Sequence, residues 1–98
     1  MIILPDDAEE RSVARLMQRL REGKGWKHRE AAQALGVSRS EVTKWEGGGG
    51  GRQVRLIEVP GICRGYGLTE LGFLEEWLKE RRREAKAIQE FERRRVSF

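Results

Sequence analysis

The sequence predicts an all-α fold of five helices, the last of them much longer than the rest. Three observations carry this reading. Val13, Leu16, Met17 and Leu20 recur at the spacing of one helical face. Ala31, Ala32, Leu35, Val37, Val42 and Trp45 do the same, but their register changes at Gly36. After Gly72 the chain has no glycine or proline, and helix formers dominate to its end.

Each element has its own punctuation. Asp6 is expected to cap a first helix over 7–22, with Glu9 three residues on and Gly23 and Gly25 as its stop. The apolar residues 1–4 before it are expected to be a frayed end. A second helix over 27–35 ends at Gly36, which can take the left-handed conformation. Ser38 caps a third helix, and Glu41, three residues later, would complete a capping box. Five glycines follow Glu46, at 47–51, and cannot hold a helix. They read either as a flexible spacer or as bare backbone that approaches phosphates beside Arg52 and Arg55. Proline costs about 3 kcal/mol inside a helix but fits its first turn. The fourth helix is therefore expected to start at 59 or 60, after an extended or irregular approach over 52–58, and to close at Gly67. Thr69 caps the fifth, which runs to about residue 95.

Two short helices joined by a glycine turn, the second of them capped, form a helix-turn-helix. Its second helix ordinarily enters the DNA major groove. The charge distribution agrees. The net charge is +4, but residues 1–10 hold four acids and no base, whereas 11–50 carry a local +5 and 81–98 a local +4. Excess base on the helix-turn-helix half and the tail is what a phosphate-facing surface requires.

Other functions find little support in the residues. The lone Cys63 sits between Ile62 and Tyr66 on an apolar face and reads as a core thiol. His28 has no cysteine or second histidine with which to hold a metal. No lysine with a following Ser or Thr comes after the glycines, so they match no phosphate-binding motif. No catalytic constellation is present, and no enzyme and no cofactor are expected. No apolar run is long enough for a membrane span, and the first residues lack the pattern of a signal peptide, so a cytoplasmic protein is expected. Trp26, Trp45 and Trp77 read as core or interface anchors. The arginine runs at 81–83 and 93–95 read as a solvated face balanced by Glu80, Glu84, Glu90 and Glu92.

The stretch LREGKGWKHREAAQALGVSRSEVTKWEGG, with ICRGYGLTEL further on, resembles the phage-repressor (Xre, Cro-like) helix-turn-helix family over residues 12–75, most specifically over 20–47. The resemblance implies a compact five-helix, lambda-repressor-like DNA-binding domain that binds a palindromic operator as a homodimer, here with an extended C-terminal helix. It places Arg39, Ser40, Thr43 and Lys44 where relatives read base edges, and His28 where they commonly carry a glutamine on phosphate. Ser38, Gly47, Arg52 and Arg55 join His28 as backbone contacts, and Arg21 and Glu46 occupy positions of a structural ion pair. The five glycines depart from the polar or basic loop usual in the family, and Pro60 from its buried aliphatic.

The expected organisation is a helix-turn-helix domain over 1–78 and a helical extension over 79–98. Residues past Leu78 are expected to lack a core of their own, so that Ala85, Ile88 and Phe91 would offer a dimer contact. Two functions follow. One is a DNA-binding transcriptional regulator, in particular a repressor. The other is an interaction module whose C-terminal helix binds a protein such as a toxin, a sigma factor or polymerase, with DNA contact secondary.

Overall fold

The computed structural model describes residues 4–48 and 51–96, and among these the fold is all-α. The helices are α1 (Asp6–Gly23), α2 (His28–Leu35), α3 (Arg39–Trp45), α4 (Val59–Tyr66) and α5 (Glu70–Val96), with one 3₁₀ turn at Leu56–Glu58 before α4. The expected stops are where the helices end. Gly36 and Gly67 both take the left-handed conformation, at φ 69° and 70°, closing α2 and α4. The Thr69 hydroxyl accepts the Gly72 amide at 2.9 Å and starts α5. Two starts differ by a residue: α1 begins at Asp6 with Pro5, not Asp6, in the capping position, and α2 begins at His28. Pro5 has no side-chain oxygen to cap with, and its carbonyl instead takes the amides of Ala8 and Glu9 at 3.0 Å.

The main core joins α1, α3 and α4. Met17, Trp45, Ile62 and Tyr66 are buried together, with Leu20, Trp26, Leu35, Val37, Val54, Leu68 and Phe73 packed around them. Trp26 stacks on Tyr66 at 5.7 Å between ring centroids. Cys63 is buried, and its apolar surroundings push the thiol pKa up. Gly65 lets α4 lie directly on the end of α2. A Cβ there would meet the Leu35 side chain and sit 3.1 Å from the Ala34 carbonyl oxygen.

The fifth helix corrects two expectations. Its packing does not stop at Leu78: Ala85 forms a second buried cluster with Leu4 and Ala8, and Ile88 packs against it. Leu4 is thus held in the fold, whereas residues 1–3 of the expected frayed end lie outside the described residues. Nor is the 81–83 run a uniformly solvated face. Arg81 lies over the Trp77 ring at 5.4 Å and holds Glu9 at 2.8 Å. This depresses the Glu9 carboxyl pKa. Trp77 in turn donates its Nε1–H to Ser12, which is fully buried and bonds the Glu9 carbonyl at 2.6 Å.

Two acids on the same helix are buried beneath arginines. Glu84 receives Arg11 at 3.2 Å and Arg15 at 2.8 Å, while Glu80 pairs with Arg19 and Arg83. A carboxylate loses its hydration on burial, and only such paired donors make the loss tolerable. Truncation after Lys79 should therefore lower stability to urea by roughly 2–4 kcal/mol, since it removes Ala85 and both acids from under α1. An unchanged unfolding midpoint would show that α1 does not depend on this packing.

Candidate nucleic-acid interface

Ala31 and Ala32 of α2 and Val42 of α3 bury one another, with Trp26, Leu35 and Val37 alongside. Small residues at 31 and 32 let the two helices approach closely. The turn between them is fixed by its own hydrogen bonds. Val37 donates to the Ala32 carbonyl at 3.0 Å, and the Ser38 hydroxyl accepts the Glu41 amide at 3.1 Å. Only this half of the expected capping box forms, because the Glu41 carboxylate turns away from Ser38 to pair with Arg52.

With Val42 and Trp45 turned inward, the opposite face of α3 is free. Arg39, Ser40 and Lys44 are exposed on it. Thr43 is half-buried, and its hydroxyl donates to the Arg39 carbonyl at 3.1 Å, which leaves it an acceptor toward anything outside. Lys44 also lies in the last turn of the helix, where a cation suits the dipole.

The ends of the motif are tied by Arg21. Its Nε and Nη2 meet the two oxygens of Glu46 at 2.8 and 3.0 Å, and its Nη1 donates to the Trp26 carbonyl at 2.9 Å. Both side chains are largely buried, at 13% and 8% exposure. The Arg21 pKa is raised, chiefly by the hydrogen bonds to Glu46. His28, at the start of α2, turns its Nε2 toward the same carboxylate at 3.5 Å, with its side chain partly in solvent.

Other residues expected on the DNA backbone are placed differently from one another. Ser38 and Arg55 are exposed. Arg55 does touch Glu58, at 3.5 Å. Arg52 is drawn into the fold: its guanidinium pairs with Glu58 at 2.8 Å, meets Glu41 and lies over the Trp45 ring at 5.7 Å. The Arg52 hydrogen bonds, helped by the Arg55 amide and side chain, hold the Glu58 carboxyl down at about 2. The Gly47 amide is likewise engaged, donating to Lys44 at 3.0 Å, and the Arg52 amide reaches the same carbonyl at 3.0 Å. So the Gly47 amide and the Arg52 side chain close off α3, and the bare-backbone reading of 47–51 does not hold for Gly47. Gly49 and Gly50 lie outside the described residues.

Two of the glycines have a steric reason that composition does not disclose. Gly47 sits at φ 92°. At Gly48 a Cβ would come within 2.6 Å of the Thr43 methyl and 3.2 Å of its carbonyl oxygen. Sequence reasoning also missed the link from Arg52 to Glu58 and Glu41. The one local signal available was the three-residue step from Arg55 to Glu58, whose carboxylate takes the Arg55 amide at 2.7 Å.

A family model described as a helix-turn-helix domain matches residues 12–72, more than half of the chain. No curated protein and no solved structure matches it.

Because the Arg21–Glu46 pair is bidentate and largely buried, Arg21→Ala and Glu46→Ala should each destabilise by about 2–3 kcal/mol. The double mutant should cost clearly less than the two losses added. Thermal melts of the three variants measure this, and additive losses would show two independent residues.

Proposed function

The chain belongs to the helix-turn-helix domain family, and on that membership we propose a sequence-specific DNA-binding transcriptional regulator, a repressor of the phage-repressor (Xre, Cro-like) type. The carrying observation is the outer face of α3, where Arg39, Ser40 and Lys44 stand free on a helix whose inner face is locked by Val42 and Trp45. In this reading Arg39 takes the bidentate role for which a guanidinium is shaped, at the O6 and N7 of a guanine. Ser40, Thr43 and Lys44 read neighbouring base edges. His28, Ser38 and Arg55 fix the phosphates, while Arg52 and Gly47 act by shaping the end of α3. The protein works in the cytoplasm and does no chemistry of its own.

Two copies bind a palindromic site, holding their α3 helices about 34 Å apart on successive turns of the duplex. The contact between them lies on the 52–75 side and not on the tail, since Ala85 is buried against α1 and Ile88 packs partly over it. Leu56, Ile57 and Leu71 are 87%, 83% and 72% exposed there. Beside them runs an apolar groove of about 520 Å³ whose walls include Leu56, Val59, Phe73 and Leu74. Aliphatic exposure on this scale marks an association surface.

Selection of bound sites from random duplex tests the reading directly: a palindromic consensus is expected, with affinity that falls steeply as salt rises. Arg39→Ala should cost about 1–3 kcal/mol at one base position per half-site and relax specificity there. Uniform weakening across a panel of single-base variants would make Arg39 a phosphate contact instead. Leu71→Arg should leave the melting temperature nearly unchanged, give a monomer in sedimentation and weaken operator binding about tenfold or more. A variant that stays dimeric would return the contact to another face.

A further inference from the structure

We propose that the groove between α1 and the C-terminal half of α5 docks an acidic segment of a protein partner that also carries apolar side chains. The groove encloses about 600 Å³ and lies along the seam where Glu80 and Glu84 are buried. On the α1 side, Arg11, Arg15 and Arg19 follow one another at four-residue steps and so share a helix face. Across from them stand Arg83 and Arg95 of α5, with the exposed Glu92 among them, and the arginines of the lining outnumber its glutamates.

The two buried acids hold the arginine stems in place without covering them. Arg15 and Arg19 each meet a glutamate through Nε, and their side chains remain 57% and 55% exposed. A guanidinium carries five N–H donors in a fixed fork. With one edge anchored on a carboxylate, its outer donors are already oriented for a second one, and the cost of ordering the side chain has been met within the fold.

Charge alone does not describe the groove. Ile88 lines it, and Phe91 stands beside Ile88 with 67% of its surface in solvent. A phosphate backbone has no apolar group to place on these side chains. An acidic helix whose other face bears Leu or Phe satisfies both halves of the surface. Three of the N-terminal acids of this chain have partners in their own fold, which favours a separate protein as the occupant over that end of a second copy. Asp7 pairs with Arg11, Glu9 with Arg81, and Glu10 accepts Gln53.

The test uses the full chain and labelled synthetic helical peptides of about 18 residues. One is an acidic Glu/Leu/Phe amphipath, one a Glu/Ser peptide of equal charge and one a Lys/Leu amphipath. Fluorescence anisotropy should show saturable binding of the acidic amphipath, one per chain, about tenfold or more tighter than either control. Phe91 and Arg95 are both exposed. The variant carrying Phe91→Ala and Arg95→Glu should lose this binding about tenfold while keeping its melting temperature and its affinity for duplex DNA. Equal binding of the two acidic peptides, no saturable binding, or indifference to the double substitution overturns the proposal. So does a loss of duplex affinity with a shallower salt slope in that variant, which would assign the groove to nucleic acid.

Discussion

The second helix of the motif is only seven residues long, Arg39–Trp45, and two turns of helix do not persist in water unaided. Its position rests on Arg21. One guanidinium binds both oxygens of Glu46 just past the end of α3 and the Trp26 carbonyl just ahead of α2. A single planar group thereby ties the last turn of α1 to both helices of the motif. Arginine suits this place because its fork satisfies a carboxylate and a carbonyl at once, which a lysine ammonium would do with far less directional definition. Trp45 and Tyr66 pack close by in the main core, and burial pushes the Tyr66 hydroxyl up to about 12, with Glu46 adding to the effect. The phenol stays neutral there, so it adds no second charge beside the ion pair.

A second constraint acts from the far side of α1. There the helix meets α5 through a mixture that is unusual for a small domain: a buried serine and two buried glutamates among few large apolar groups. Ala8 and Ala85 bring the backbones close, and Ser12, Trp77, Glu9 and Arg81 form a continuous polar chain across the contact. Charged seams of this kind gain little net energy, but they penalise every register that leaves an acid without its arginine. The pairing of Glu84 with Arg11 and Arg15 thus defines how far α5 may slide along α1. Through α1, it also defines where α3 stands.

What the sequence discloses is governed by range. Gly36, Ser38, Gly67 and Thr69 are legible because a cap acts over three or four residues, and each lies where its chemistry requires. The helix-turn-helix is legible for the same reason, its apolar spacing breaking at a glycine. The charged residues are not. Arg81 opens a run of three arginines, and nothing local says that its guanidinium lies over Trp77 and reaches Glu9, 72 residues away. Glu80 and Glu84 read as ordinary surface acids for want of any signal that Arg15 and Arg19 lie above them. Among the candidate site residues, those on the outer face of α3 come from the resemblance to the phage repressors, and the inward spacing of Val42 and Trp45 accounts only for their exposure. The inward commitment of Arg52 depends on the chain folding back through 52–58, a stretch with no period at all.

The same fold-back explains why glycine stands at 47 and 48, directly after α3. The chain must leave α3 at once, passing so close to Thr43 that Gly48 has no room for a side chain, and Gly47 must take a positive φ to begin the turn. Arg52 then returns its amide to the Lys44 carbonyl and its guanidinium to the face of Trp45. The last turn of α3 is consequently closed by backbone and by a cation that does not face outward. Lys44 is left as the exposed positive side chain at that end. A longer or bulkier connection would leave the α3 carbonyls to solvent and the Trp45 ring uncovered. Gly47 and Gly48 are therefore the condition for a tight exit from the helix.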